Sequence, residues 1–307
     1  MNRKVILCCR SINILRNLST NAKSDIANAS YCANNVQKYD NENFLCSLLI
    51  KKGRREALAI KAFNVEIARV PTVVSDQKIS LMRLKFWEDS IVQLFDKNLQ
   101  SQNLPEHPVI RELELVLNAT KLTKRYFDRL INARKIQNLN FISTKQMENY
   151  AEESVSSVHY LLLESFNCRN VNADHAASHL GKAQGITNML RSIYNRGRSQ
   201  YLPIPQEILM QHGVSQERFF RSKPNDKGVE DVVFDIATLA HQHLEKSLAL
   251  MSQVPKESKV LFLPAVTTRR YLERLRKVNF NLRDKSLGIR DNLLPLALYW
   301  NNFKGLK

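Results

Sequence analysis

The residues best equipped for chemistry are few and scattered. Asp174, His175 and His179 fall close together. Two histidines at i and i+4 share one helix face and would share a metal ion there. No further ligand stands at a telling distance, and an HExxH pattern is absent. The stretch therefore reads as a helix start capped by Asp174 that carries two ordinary histidines. His241 and His243, two apart, face different sides of a helix and read as structural or solvent-facing. Cys8, Cys9, Cys32, Cys46 and Cys168 form no CxxC pair and no metal-ligand spacing, so they read as reduced thiols. The basic runs Lys51–Arg55 and Arg269–Lys277 are of a kind that meets phosphate, although such runs usually form solvated faces. With no zinc finger, glycine-rich phosphate loop or aromatic RNA-binding motif, nucleic acid is not an expected partner. No metal or other cofactor is expected.

Helices must position whatever chemistry there is. The chain has 307 residues, 44% of them hydrophobic, enough for a sizeable core. Only 8 Gly and 9 Pro are present, which leaves few turns and argues against a barrel or sandwich. From Arg54 the chain is rich in helix formers, with Leu58, Ala62 and Val65 on one face. Pro71 ends or bends this helix. Leu84, Trp87 and Ile91 form a second stripe. Pro108 marks a helix start ahead of Ile110, Leu113 and Leu117. Tyr126, Phe127, Leu130 and Ile131 follow a break near Lys121. Ser143 and Gln146 resemble a capping box, and the stripe behind them runs through Met147, Ala151, Val155, Val158 and Leu162. The most regular stripe extends from Val229 to Leu244. No segment alternates as a strand would. Asn195 to Gly228 reads as the longest loop. The expected architecture is all-α, a single helical domain over residues 25–307.

Residues 1–24 are set apart. They contain no acid, hold Arg3, Lys4, Arg10, Arg16 and Lys23 between apolar residues, and have the composition of a mitochondrial transit peptide. The whole chain carries a formal charge of +17 and stays strongly basic without this leader, which suits anionic lipid or acidic protein surfaces. No run of about 18 uncharged apolar residues offers a transmembrane helix. The segment Asn292 to Trp300, NLLPLALYW, reads as a C-terminal helix packed on the bundle, although Tyr299 and Trp300 also suit a membrane interface.

Ordered segments then carry a resemblance: SYC (Ser30 to Cys32), REALAIKAF (Arg55 to Phe63), TNMLR (Thr187 to Arg191), RGRSQYLP (Arg196 to Pro203), HLEKS (His243 to Ser247) and Leu263–Pro264. Together they resemble the head-to-head prenyl synthases, the squalene and phytoene synthase family, over nearly all of the chain after residue 27. The resemblance implies one bundle of helices of the isoprenoid synthase type around a central cavity. It also implies two aspartate-rich motifs on facing helices that hold Mg²⁺ against a substrate diphosphate, a poor leaving group until hard cations bind its oxygens.

Set against that pattern, both motifs are missing. The place of the first reads Ala68, Arg69, Val70, Pro71, Thr72, and Ser192 takes the first position of the second. The family's glutamine falls on Gly185, with Gln184 one place off. Asn188, Arg191, Arg198 and Tyr201 remain from the phosphate side of the pocket. Without Mg²⁺ the two arginines need a carboxylate or water beside them, which is expected here in preference to a ligand. The chain thus resembles a non-catalytic branch of the family. The segments Tyr31 to Leu49, His175 to Arg191 and Ile208 to Ser215 resemble a branch whose members help to build mitochondrial NADH:ubiquinone oxidoreductase, complex I. That branch implies a matrix protein held peripherally on the inner membrane, with complex I assembly intermediates or subunits as partners and contact with anionic lipid. The competing readings are a prenyl transferase with an altered site, which Ala68, Arg69 and Ser192 oppose, and a lipid-binding module that uses the vestigial cavity.

Overall fold

The computed structural model describes residues 24–74, 76–96, 104–136, 139–195, 202–223 and 225–306. The leader lies outside them except for Ser24, as do Arg198 and Tyr201. Among the described residues every regular element is a helix. The first is α1, residues 24–39. After it come α2 (Asn41–Leu48), α3 (Arg54–Val73), α4 (Gln77–Phe95), α5 (Pro108–Ala119) and α6 (Lys124–Lys135). Then α7 (Thr144–Ala151) runs through a π turn (Glu152–Ser156) into α8 (Ser157–Ser165). The long α9 (Val171–Asn195) is followed by α10 (Gln206–Gln211), α11 (Gln216–Arg221) and α12 (Lys227–Ala249). Beyond a 3₁₀ stretch (Lys256–Phe262) lie α13 (Pro264–Lys277) and α14 (Leu294–Lys304).

The anticipated stripes are the buried ones. Leu84, Trp87 and Ile91 of α4 are inside, as are Ile110 and Leu113 of α5 and Val232, Val233, Ile236, Ala240 and Leu244 of α12. Phe63 is the hub of one half of the core. Its ring meets Trp87 edge-on at 5.6 Å and Phe127 at 5.2 Å, the geometry that suits opposed quadrupoles. The other half is built where α9 packs along α12, α7 and the π turn. Two glycines permit that approach. A Cβ at Gly181 would stand 2.4 Å from Ser156 Cα, and one at Gly185 would stand 2.6 Å from Ala151 Cβ. The π turn carries Ser156 to this contact, where its hydroxyl donates to the Ser178 carbonyl at 3.1 Å.

Local signals misled in two places and needed refining in two others. Pro71 lies within α3, which runs on only to Val73: the proline cannot donate to the Ile67 carbonyl, and the helix stops within a turn of it. The stretch from Asn195 to Gly228 includes two short helices, α10 and α11, each started by a proline or serine. Asp174 does not cap α9. Asn170 does, its Oδ1 accepting from Ala173 N at 2.9 Å, and Asp174 falls within the first turn. The fourth is α14. Leu294 and Leu298 pack beside Cys46, Leu263 and Val266 as expected of a docked helix, but Leu293, Leu296, Tyr299, Trp300 and Phe303 stay exposed. The Ser143 cap is present, with Gln146 N donating to its hydroxyl and Gln146 Oε1 accepting from Ile142 N.

Candidate functional site

Helix α3 presents the place of the first acid motif near its end. Ala68 offers a methyl group. The Arg69 guanidinium lies 3.5 Å from the centre of the Tyr39 ring on α1, a cation–π contact that neutralises nothing but holds the charge. The Thr72 hydroxyl turns back to donate to its own helix, at the Arg69 carbonyl, 2.8 Å away. One turn earlier stands an acid, Glu66. It is engaged by Tyr31 Oη and Asn35 Nδ2, both at 2.8 Å from Oε1. Burial first, and the Glu66 carboxylate second, push the Tyr31 hydroxyl up to about 12, so it stays a donor.

The second place is on α9. Ser192 donates to the Met189 carbonyl at 2.7 Å, again inside its own helix. Asn188 faces solvent. Arg191 turns away from α3. Its Nη1 lies 2.6 Å from Glu42 Oε2 on α2, and its guanidinium stacks 4.4 Å from the centre of the Tyr271 ring on α13. Among the described residues its buried Nε has no acceptor. These side chains wall a small pocket of about 170 Å³ with Arg274 and residues 287–291. Burial raises the Tyr271 hydroxyl to about 12 against the pull of Arg191. Of the four residues matching the phosphate side, the structure therefore places Arg191 in a pocket and Asn188 outside it. Arg198 and Tyr201 lie outside the described residues.

Several buried polar groups gave no signal in the sequence. Lys61 is buried on α3, and its ammonium donates to Ser47 Oγ at 2.8 Å and to the Asn43 carbonyl at 3.1 Å. Burial pulls its pKa down. His159 of α8 meets Gln184 of α9, Nε2 to Oε1, at 3.0 Å. Gln184 thus fills the interior, while at Gly185 no side chain fits against Ala151. A third set links three helices: Glu148 Oε1 lies 2.9 Å from His243 Nε2, and His243 Nδ1 lies 2.9 Å from His179 Nδ1. Burial and the neighbouring His243 hold His179 down at about 4. His179 pairs with His243, 64 residues on, a contact that no local spacing signals. His241 is exposed and His243 buried, the division that their spacing implied.

Mg²⁺ requires an octahedron of oxygens, with carboxylates or water among them. The four motif positions supply a methyl group, a guanidinium and two hydroxyls that donate within their own helices. Glu66 and Glu42, the acids beside those positions, are already engaged. Among the described residues no three His, Cys, Asp or Glu side chains gather as a metal-binding group. This donor set does not fit the metal cluster of a prenyl synthase.

Comparison with known proteins agrees with the fold. The squalene/phytoene synthase family model matches residues 36–291. A Drosophila melanogaster protein, NADH dehydrogenase (ubiquinone) complex I, assembly factor 6 homolog, is 48% identical over 277 residues, covering 89% of this chain and 83% of its own. The Homo sapiens protein, NADH dehydrogenase (ubiquinone) complex I, assembly factor 6, is 38% identical over 278 residues, covering 89% and 81%. Among solved structures, a dehydrosqualene synthase superposes with a TM-score of 0.74 at 19% identity, over 92% of this chain and 97% of that one. A squalene synthase of Alicyclobacillus acidocaldarius gives 0.71 at 18%, over 83% and 95%. The chain belongs to the squalene/phytoene synthase family, on the branch that holds the proteins named complex I assembly factor 6.

Proposed function

We propose that this chain is a non-enzymatic assembly factor for mitochondrial complex I. It acts on the matrix face of the inner membrane after residues 1–24 have directed import, and residues 25–307 form its working domain. The observation that carries the reading is the agreement along nearly the whole chain with relatives named for that role, at 38% to 48% identity. The donor set supports its non-enzymatic part, since hydroxyls that donate within their own helices, a methyl group and a guanidinium offer Mg²⁺ no carboxylate. Arg191, the remaining phosphate-side arginine in the described pocket, has a carboxylate of its own chain as counter-ion. Its role in this reading is structural.

The test is genetic and chemical together. Cells lacking the protein should lose assembled complex I on native gels and regain it with the wild-type gene. Purified protein given farnesyl diphosphate, Mg²⁺ and NADPH should release no diphosphate above a heat-killed control. Normal complex I in the deleted cells, or diphosphate release abolished by Arg191→Ala, would overturn the reading. Carbonate should strip the protein from mitochondrial membranes, because no described helix is long and apolar enough to cross one.

A further inference from the structure

Helix α14 is apolar on two opposite sides, and only one of them is used. Leu294 and Leu298 face the bundle. Leu293, Leu296, Tyr299, Trp300 and Phe303 repeat at three- and four-residue spacing on the other side and are 53% to 78% exposed. Large apolar residues scattered singly on a surface need no explanation, but four on one face of an eleven-residue helix, with Leu293 at its N-cap, do. A helix with a second apolar stripe needs a second partner.

Charge says which partner. Between residues 285 and 304 the basic residues are Lys285, Arg290 and Lys304, all exposed. The one acid in that stretch, Asp291, is held by Arg270 through bonds of 2.5 and 3.0 Å and is not free to repel an anion. The Lys304 ammonium rests 4.3 Å from the centre of the Trp300 ring, so a cation sits at the edge of the apolar face. Tyrosine and tryptophan flanked by lysine, with leucine and phenylalanine at the centre, is the arrangement of a helix lying in the headgroup region of a bilayer. At eleven residues α14 is far too short to span one.

We propose that the outward face of α14 is the surface by which the protein docks on an anionic bilayer, with Leu296, Trp300 and Phe303 entering the acyl boundary and Lys304 meeting phosphate headgroups. The proposal rests on the reading above that the protein works at a membrane face, and it names the face.

Trp300 supplies the readout, because the other tryptophan, Trp87, is buried in the core and insensitive to solvent. Full-length protein would be mixed with vesicles of phosphatidylcholine containing cardiolipin, and with phosphatidylcholine alone. Trp300 emission should shift to the blue with the anionic vesicles and be quenched by lipids brominated in the upper acyl chain. Leu296→Ser with Phe303→Ser should weaken vesicle binding by about tenfold or more, since each exposed apolar side chain contributes separately to partitioning. Lys304→Glu should weaken it further as salt is lowered. The substituted residues are exposed, and an unchanged melting temperature verifies the fold. Vesicle binding with Trp300 unshifted, or a Trp300 shift caused by self-association in sedimentation without lipid, would overturn the proposal. Failure of complex I rescue does not enter this measurement, so the assembly reading and the docking face fail separately.

Discussion

His159 gives the structure a measurable acid sensitivity. The ring is 5% exposed on α8. Burial holds its pKa down at about 4; the Gln184 hydrogen bond opposes the shift and the nearby Lys61 charge adds to it. In the unfolded chain an ordinary histidine takes its proton near 6.5. Between those values the unfolded state binds the proton and the folded state does not, so stability falls as pH falls. The slope for one such group is about 1.4 kcal/mol per pH unit, or roughly 3 kcal/mol over the whole window. Total stabilities of about 5–15 kcal/mol make that a large fraction. The perturbation is His159→Gln, which keeps an amide donor for Gln184 and removes the titration. Urea unfolding would be measured for both proteins at about pH 7 and about pH 5. The variant starts with some packing loss, but the wild type should lose about 2 kcal/mol more than it does on acidification. Parallel loss in the two proteins would refute the assignment of a neutral, proton-excluding His159.

Three further outcomes follow from the same geometry. Gly181→Ala should destabilise by about 2 kcal/mol or more despite the better helix propensity of alanine, because the new methyl would meet the Ser156 backbone; thermal melting reads this directly. Lys61→Met should raise stability at neutral pH by on the order of 1 kcal/mol or more, since a lysine with a lowered folded pKa weakens the fold until the unfolded side chain also loses its proton near pH 10.5. A gain that shrinks as pH rises toward that value would identify the ammonium as its source. A double-mutant cycle on Arg191→Ala and Glu42→Ala should give a coupling of about 1 kcal/mol, modest because both side chains keep partial solvent contact.

The sequence made the helices legible where periodicity was strong. Leu84, Trp87 and Ile91, or Val232 to Leu244, announce a buried stripe because burial of one helix face is a local, repeating demand. What escaped it has no period. Arg191 finds Glu42 across 149 residues, and His243 finds Glu148 across 95. The π turn is equally silent, since its contact between Ser156 and Gly181 joins residues far apart in the chain. Ordered motif fragments revealed the family, while the contact of His179 with His243 had no local signal. For α14 the residue types pointed both ways, and the structure shows that they serve two sides of one helix.

Loss of a metal cluster is a problem of charge as much as of catalysis. Carboxylates gathered within a few ångströms repel one another strongly in a protein interior unless cations lie between them. A chain without Mg²⁺ would be better off without the acids, and the positions that the family resemblance assigns to them read Ala68, Arg69, Thr72 and Ser192. Removing the acids and the metal together strands any arginine that faced the phosphate. Arg191 would then sit in a partly buried pocket with its charge uncompensated, a cost of several kcal/mol for a desolvated ion. Glu42 from α2 meets it at 2.6 Å, and Tyr271 covers its other side. Arg69 rests on the Tyr39 ring, which holds the charge without neutralising it. Among the described residues Arg191 has a carboxylate and a ring beside it, and Arg69 has a ring. Among the described residues the outward face of α14 stays uncovered, with five large apolar side chains exposed and Lys304 resting on the Trp300 ring. That exposed face is where the proposed contact with a bilayer would form.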